Sequence, residues 1–282
     1  MEGDYRKMLK NKQIEIIDTQ DDEPKIKEYL DKVGVEGIRA HLKIVRQNVE
    51  YSHLPHIDMN IDLPDNKKGA HMSRLLETIN EVISRKTEGI KESLEEFGDE
   101  VLEEIQKKHP YQRAELTIKT TLIIDKLTPV THKKTIEPYD ILTKVIRNNG
   151  ITLKYLEVKV IGNTLCPHCL KVTGSKTHIQ RADLQLGILT DLKTNISFEE
   201  MINICEECFS SPTYTVLKTE DEKFVVEQMF KNPKFVEDLT RECFLKTKHL
   251  GIKAEVTVRA VSYESIHKHN VISEIKRKIN GG

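Results

Sequence analysis

Apolar and polar residues alternate along several segments of the chain, which is the pattern of β-strands with one buried face. The segment YSHLPHIDMNIDL places Ile57, Met59, Ile61 and Leu63 on one side. The segment IKAEVTVRAVSYE alternates just as regularly from Ile252. On this criterion we predict strands in IRAHLKIVRQ, YSHLPHIDMNIDL, AELTIKTTLIIDKL, LKYLEVKVIG, ADLQLGILTDL and IKAEVTVRAVSYE.

Other segments repeat apolar residues every three or four positions, which predicts amphipathic helices. One begins near Met72, and a second covers residues 89–108 and ends before a proline. Two more are predicted in SFEEMINICEECF and in residues 221–247, which Asn232-Pro233 interrupts. We also expect a short helix at the end of the chain.

The order of these elements predicts the fold class. Strands, two helices and strands follow one another twice, as in two ββαα-like modules. This order indicates an α+β protein with an antiparallel sheet and helices on one face. We expect a polar N-terminal arm in residues 1–30, a first module in 31–150 and a second in 151–282. The sequence contains neither GxGxxG nor GxxxxGK[ST], so the two common nucleotide fingerprints are absent.

Charge and composition exclude some classes of function. The 44 basic and 45 acidic residues nearly cancel, which argues against binding of nucleic acid or an anionic membrane. No apolar run approaches the ~20 residues that span a bilayer. The N-terminus MEGDYRKMLKNKQ lacks the apolar region of a signal peptide, so we expect a cytoplasmic protein.

The cysteines carry the densest candidate chemistry. They form CPHC (Cys166, Cys169), CEEC (Cys205, Cys208) and a single Cys243. Two CxxC pairs are typical of a structural zinc site, but these are far apart, and CEEC lies in a helical apolar stripe. CPHC after a strand also fits a redox dithiol, although the residues that follow favour a helix poorly.

A third interpretation pairs Cys166 with His178, twelve positions later. Thiolate, imidazole and carboxylate together can hold a catalytic divalent metal with an open coordination position. Distant partners would come from DEKFVVEQ and from ESIHKH. The residues alone leave the three interpretations open.

The stretch KKGAHMSR is a second candidate site. A glycine turn opens into a helix there, with Lys67, Lys68, His71, Ser73 and Arg74 close together. Helix N-terminal amides and basic side chains favour phosphate. An ordinary solvated helix start fits the same residues.

The motifs KKGAHMSR, CPHC…THIQR, DEKFVVEQMFKNPKFVEDLTRE and YESIHKH, in this order, resemble GTP cyclohydrolase of type IB, including its archaeal iron(II)-dependent branch. The resemblance runs from about residue 34 to 274. It implies the tunnelling (T-fold) architecture in a homo-oligomer, dimer or tetramer, with active sites between subunits. It also implies that GTP is hydrolysed at C8 with release of formate. The product would be a dihydroneopterin triphosphate or cyclic phosphate, at the first step of a pterin or folate-type pathway.

The resemblance also implies roles for individual residues. One divalent metal per subunit is expected, with iron(II) favoured and zinc or manganese as alternatives. Glu237 would anchor the guanine edge and act in catalysis with Cys166 and His178. The implied metal residues are Cys166, His178, Glu222 and His267, and the implied phosphate residues are Lys68, His71, Ser73, Arg74 and Arg181.

The chain departs from the family pattern at one point. Bacterial members have Cys-Pro-Cys-Ser where this chain has Cys-Pro-His-Cys, so the resemblance assigns no role to Cys169. Two other hypotheses remain at this stage. One is a non-catalytic nucleotide-binding protein with a structural four-cysteine zinc site, and the other is a different T-fold enzyme acting on a purine or pterin.

Overall fold

The computed structural model describes residues 19–46, 49–85 and 93–281. The strands in these ranges are β1 (Leu30–Arg39), β2 (Leu42–Arg46), β3 (Val49–His53), β4 (His56–Leu63), β5 (Arg113–Leu127), β6 (Lys134–Asn148), β7 (Ile151–Leu165), β8 (Ile179–Asp191), β9 (Ser211–Pro212), β10 (Ala254–Ser262) and β11 (Val271–Ile279). The helices are α1 (Met72–Arg85), α2 (Leu94–Lys108), α3 (Pro167–Thr173), α4 (Phe198–Glu206), α5 (Thr219–Lys231) and α6 (Val236–Lys248).

Nine strands form one sheet in the order β1-β4-β5-β6-β7-β8-β10-β11, with the short β9 beside β7. Neighbouring strands are antiparallel, and β2 and β3 form a separate hairpin. The sheet is continuous from β6 to β7 through a tight turn at Asn149 and Gly150, which both have positive φ. The predicted boundary between modules falls at this turn, and the division itself stays a prediction.

One face of the sheet is apolar, and the helices pack on it. In β4 the buried residues Ile57, Met59 and Ile61 alternate with half-buried Asp58 and Asn60. Helix α2 packs on β5 and β6, α4 on β7 and β8, and α6 on β8, β10 and β11. Burying one such apolar side chain contributes about 1.5–3 kcal/mol, so the alternation decides which face the helices cover. The predicted α+β class with helices on one face is confirmed.

Strand β6 was not predicted, because its pattern is misleading. In its first half the buried positions are polar or aromatic (Thr135, Glu137, Tyr139), while Ile136 is exposed. The burial of Glu137 is compensated by the hydrogen bonds that it accepts from the Thr135 hydroxyl and from the amide and hydroxyl of Thr215. Pro138 is tolerated because β7 pairs with β6 only from Asp140 onward.

The prediction of a C-terminal helix is wrong. Residues Val271–Ile279 form the edge strand β11, paired with β10 along its whole length from Ser262↔Val271 to Ala254↔Ile279. Its basic residues and Glu274 lie on an exposed edge strand, where charged side chains disfavour pairing with other chains.

A side-chain cap marks the start of α2 within the described residues. The helix begins after Ser93, whose hydroxyl caps it by accepting a hydrogen bond from the Glu96 amide at 3.2 Å. Residues 86–92, which include the start predicted at 89, lie outside the described residues. None of the helices in the described ranges has the length and apolarity that a membrane-crossing helix requires.

Candidate metal centre

The CPHC motif lies where one strand ends and the next begins. Cys166 follows the last residue of β7 and is the N-cap of α3, with Pro167 in the first turn. Helix α3 ends at Gly174, which has φ of 79° and lets the chain return. His178 directly precedes β8, and its carbonyl accepts a hydrogen bond from the Cys166 amide at 3.2 Å. The pairing of β7 with β8 therefore makes neighbours of residues twelve positions apart.

Cys166, Cys169 and His178 form a compact set of donors. One atom from each side chain lies within 4.8 Å of the others, and all three residues are half-buried. The Cys169 amide donates a hydrogen bond to Cys166 Sγ at 3.4 Å. Burial and the neighbouring Cys166 thiol raise the pKa of the Cys169 thiol. Two sulfur atoms and one imidazole are donors that suit zinc and iron(II).

A hydrogen-bond network orients the His178 ring. Nδ1 lies 2.8 Å from Gln180 Oε1 and 3.7 Å from Glu264 Oε2. Since both are acceptors, Nδ1 carries the proton and donates it, which leaves the lone pair on Nε2 for a metal ion. Gln180 is buried, and its amide group donates to Thr164 Oγ1 at 3.0 Å. The Ser262 hydroxyl donates to Glu264 at 2.7 Å, so the carboxylate is itself held in place.

Gln180 and Glu264 contact His178, and the sequence analysis did not identify them. Gln180 lies on the core face of β8, two residues after His178, where a buried polar residue needs a partner. Glu264 is part of the ESIH motif, which was interpreted only through His267. A glutamate two residues after β10, the strand beside β8, was the available signal.

Three predicted site residues do not belong to the group of three donors within one chain. Glu222 lies in the first turn of α5, Glu237 in the first turn of α6, and His267 in the β10–β11 connection, and all three are exposed. The His267 ring stacks on His269 with centroids 5.2 Å apart.

Helices α5 and α6 are nevertheless anchored beside the CPHC motif. Val225 and Met229 of α5 pack on Leu165, the residue before Cys166. The Lys234 amide, between the two helices, donates to the Leu165 carbonyl at 3.1 Å. Burial would raise the pKa of Asp221, but hydrogen bonds from Thr131, Val130 and Lys218 outweigh it and hold that pKa well below its usual range. The start of α5 is thus fixed by a buried carboxylate next to Glu222.

The basic cluster, Lys67 to Arg74, spans the loop after β4 and the first turn of α1. The Lys67 and Lys68 ammonium groups pair with Asp21 and Asp22 at 2.6 and 3.4 Å. His71 Nε2 lies 3.6 Å from the Asp21 carboxylate, and the hydrogen bond from Lys67 lowers the Asp21 pKa. Backbone hydrogen bonds from Lys68 to Asp22 and from Gly69 to Gln20 hold the acidic segment in place. The predicted phosphate residues Ser73 and Arg74 are exposed in the first turn of α1.

The basic cluster and the donor group lie at opposite ends of the sheet. Strand β4 finishes at Leu63. At this end of the sheet, Arg113 of β5 pairs with Asn148 of β6, and Asn148 pairs with Ile151 of β7. Leu165 ends β7 at the other end, about 45 Å away for a 15-residue strand at ~3.3 Å per residue. Arg181, exposed on β8 opposite Asn163, is the one predicted phosphate residue at the donor end. One chain therefore does not bring Lys68, His71, Ser73 and Arg74 to Cys166.

Comparison with protein families decides the assignment. The family described as type I GTP cyclohydrolase FolE2 matches residues 16–273, which include the donor group and the basic cluster. This chain belongs to the type I GTP cyclohydrolase FolE2 family. The resemblance seen in the sequence is confirmed, and so is the expectation of an enzyme.

Relatives match most of the length of this GTP cyclohydrolase family member. GTP cyclohydrolase MptA of Thermococcus kodakarensis is 48% identical over 92% of this chain and 98% of its own length. The MptA of Pyrococcus furiosus is 46% identical over the same shares. GTP cyclohydrolase FolE2 of Geobacter sp. strain M21 is 32% identical over 87% of this chain and 89% of its own.

Solved structures support the tunnelling fold. Uricase from Arthrobacter globiformis superposes with a TM-score of 0.54, over 90% of this chain and 95% of the uricase, at 8% identity. A hyper-thermostable mutant of AgUricase gives a TM-score of 0.56 over 89% of this chain and 92% of its own. At this identity the likeness concerns the fold alone, and it confirms the predicted T-fold.

The remaining cysteines of this GTP cyclohydrolase family member are core residues. Cys205, Cys208 and Cys243 are fully buried between α4 and α6, and the Cys208 thiol donates to the Ile204 carbonyl at 3.0 Å. Within the described residues, the donor group around Cys166 contains none of them. The four-cysteine zinc site is thus not formed, because the helical pattern of CEEC places both its thiols in the core.

Proposed function

We propose that the protein hydrolyses the guanine ring of GTP at C8 with the help of one divalent metal ion, releases formate and forms a dihydroneopterin phosphate. The reaction would be the first step of a pterin or folate-type biosynthetic pathway. The observation that carries the proposal is the donor group of Cys166, Cys169 and His178, with the imidazole fixed through Nδ1. The names of the relatives, GTP cyclohydrolases MptA and FolE2, support GTP as the substrate.

The donor group fits the metal that the reaction needs. Cys166 and His178 Nε2 would hold the ion, with Glu222 and His267 supplying or surrounding the remaining positions. Iron(II) is favoured, with zinc or manganese as alternatives, because thiol and imidazole donors suit several of these ions. A bound divalent cation supplies Lewis-acid chemistry, which activates water at neutral pH. The half-buried position of the three donors limits access of bulk water to this chemistry.

Glu237 is the proposed anchor of the guanine edge. A carboxylate can accept two parallel N–H bonds, as the guanine ring and amino group offer them. Asp238, not Glu237, caps α6, by accepting a hydrogen bond from the Phe235 amide at 3.0 Å. Glu237 stays exposed in the first turn, on a helix tied to Leu165 through Lys234. Its carboxylate is therefore accessible to a ligand.

The proposed phosphate residues require a second copy of the chain. GTP cannot reach from Cys166 to a basic cluster about 45 Å away along the sheet. We infer that the donor end of one subunit faces the basic cluster of another, in a homodimer or homotetramer. Lys68, His71, Ser73 and Arg74 of one copy would then meet the triphosphate whose guanine lies at Glu237 of its neighbour. Arg181 would contribute from the donor end.

The test is anaerobic incubation of the protein with GTP and iron(II), zinc or manganese in turn. Formate and a pterin that fluoresces after oxidation are expected with at least one metal. Glu237→Gln should lower kcat/KM by more than about 100-fold, because the amide presents a donor where the guanine needs an acceptor. Asp238→Asn is the matched control and should leave KM unchanged. Absence of formate with every metal would contradict the proposed reaction.

A further inference from the structure

Cys169 has no role in the site as the family resemblance describes it, yet its thiol lies in the donor group. It is the third residue of α3, and Cys166 caps the same helix. Residues three positions apart in a helix lie on the same side, so the two sulfur atoms face one space. The two sulfur atoms and a ring nitrogen of His178 lie within 4.8 Å of one another. One ion could therefore contact all three after small side-chain rotations.

We propose that Cys169 is a third protein ligand, so that two cysteines and one histidine hold the metal. This inference rests on the proposed metal-dependent function and deepens it. Three protein ligands with one open position are the arrangement of catalytic zinc sites, including sites with two cysteines and one histidine. Glu222, exposed in α5, is not one of these three ligands and would surround the metal, as in the proposed function.

His168 is the control residue for this inference. It lies between the two cysteines in sequence and could also bind a metal, but it is exposed and does not belong to the donor group. The helix turns its side chain away from the side that Cys166 and Cys169 share. If the motif bound metal merely because it is rich in donors, His168 would contribute as much as Cys169.

The experiment measures metal binding apart from catalysis. Full-length wild-type protein, Cys169→Ser and His168→Ala are prepared without oxygen and titrated with cobalt(II) against a chromophoric chelator. Cys169→Ser should lower affinity by more than the roughly 10–100-fold that loss of an outer-shell partner causes. The sulfur-to-cobalt charge-transfer absorption should fall by about half, because one of two thiolates is lost. His168→Ala should change neither value.

A second variant separates loss of a ligand from loss of structure. Cys169→His restores a donor at the same position, so it should recover affinity while the charge-transfer absorption stays low. Wild-type affinity and absorption in Cys169→Ser would overturn the inference, and the proposed reaction would stand if that variant still released formate. If the wild type binds cobalt(II) through two thiolates but never releases formate from GTP, the ligand assignment stands and the proposed reaction fails.

Discussion

The two ends of the sheet are built differently. At the donor end, His178 is held by Gln180 and Glu264, and these residues are held in turn by buried Thr164 and Ser262. At the basic end, Lys67 and Lys68 are largely exposed and pair with two exposed aspartates. Hydrogen bonds like those of the donor end contribute about 0.5–1.5 kcal/mol each and fix geometry. Exposed ion pairs contribute about 0–1 kcal/mol and exchange partners easily.

This difference matches the chemistry that each end would perform. Metal binding requires ligands in place beforehand, because each ångström of misplacement weakens the site. Phosphate binding tolerates mobile lysines, since the attraction is long-ranged and weakly directional. Under the proposed function, a chain that preorganises only the donor end would leave the basic end to be completed by the ligand and a second subunit.

The largest effect is expected at the donor end, from Cys166→Ala. Removing this thiol should abolish metal binding and lower kcat by at least about a thousandfold, since the Lewis acid is lost. Cys205→Ala is the control, because Cys205 is buried in the core. It should keep the metal and cost about 1 kcal/mol of stability. Metal analysis and thermal unfolding of both variants provide the check, and loss of metal in Cys205→Ala alone would refute the assignment.

A smaller loss is expected from Glu264→Gln, which keeps the shape of the side chain but removes its charge. The amide would still accept a hydrogen bond from Ser262, but it would hold the His178 ring less firmly. Metal affinity should fall by roughly 10–100-fold, as for other outer-shell partners of histidine ligands. Glu274→Gln is the control, since Glu274 pairs with Arg259 on the exposed edge of the sheet. Equal affinity in Glu264→Gln and wild type, by competition with a chelator, would show that His178 needs no such support.

Mixing variants from the two ends tests whether they meet between subunits. Cys166→Ala disables the donor end, and Arg74→Ala weakens the basic end. If each site takes its donor end from one chain and its basic cluster from another, random co-assembly restores about one intact site in four. Activity of the co-expressed mixture should therefore exceed that of either variant alone. Activity no higher than the mean of the two separate variants would indicate that each chain builds its site alone.

The sequence predicts residues of the donor end, but it does not predict where the basic end lies in the fold. Cys166 and His178, twelve positions apart in sequence, lie close together in the fold because β7 and β8 pair as a hairpin around α3. Gln180 and Glu264 were missed because their role depends on contacts across three strands, which no local pattern records. The position of KKGAHMSR depends on the direction of β4 relative to β7, hence on every strand between them. The missed strand β6 is one of these, so the sequence alone could not establish that the two ends lie apart.

The smallest effect should come from the acidic segment at the basic end. Asp21→Asn with Asp22→Asn removes the carboxylates that pair with Lys67, Lys68 and His71, so a triphosphate would no longer compete with them. KM for GTP should fall by about two- to fivefold, in line with exposed ion pairs worth at most about 1 kcal/mol, while metal affinity stays unchanged. Glu23→Gln is the control, because Glu23 pairs with Lys27 outside the basic cluster. An equal fall in KM in this control would mean that the effect comes from the overall charge of the protein and not from the basic cluster. A rise in KM in the double variant would mean that the segment shapes the cluster for phosphate, and that the basic end is preorganised after all.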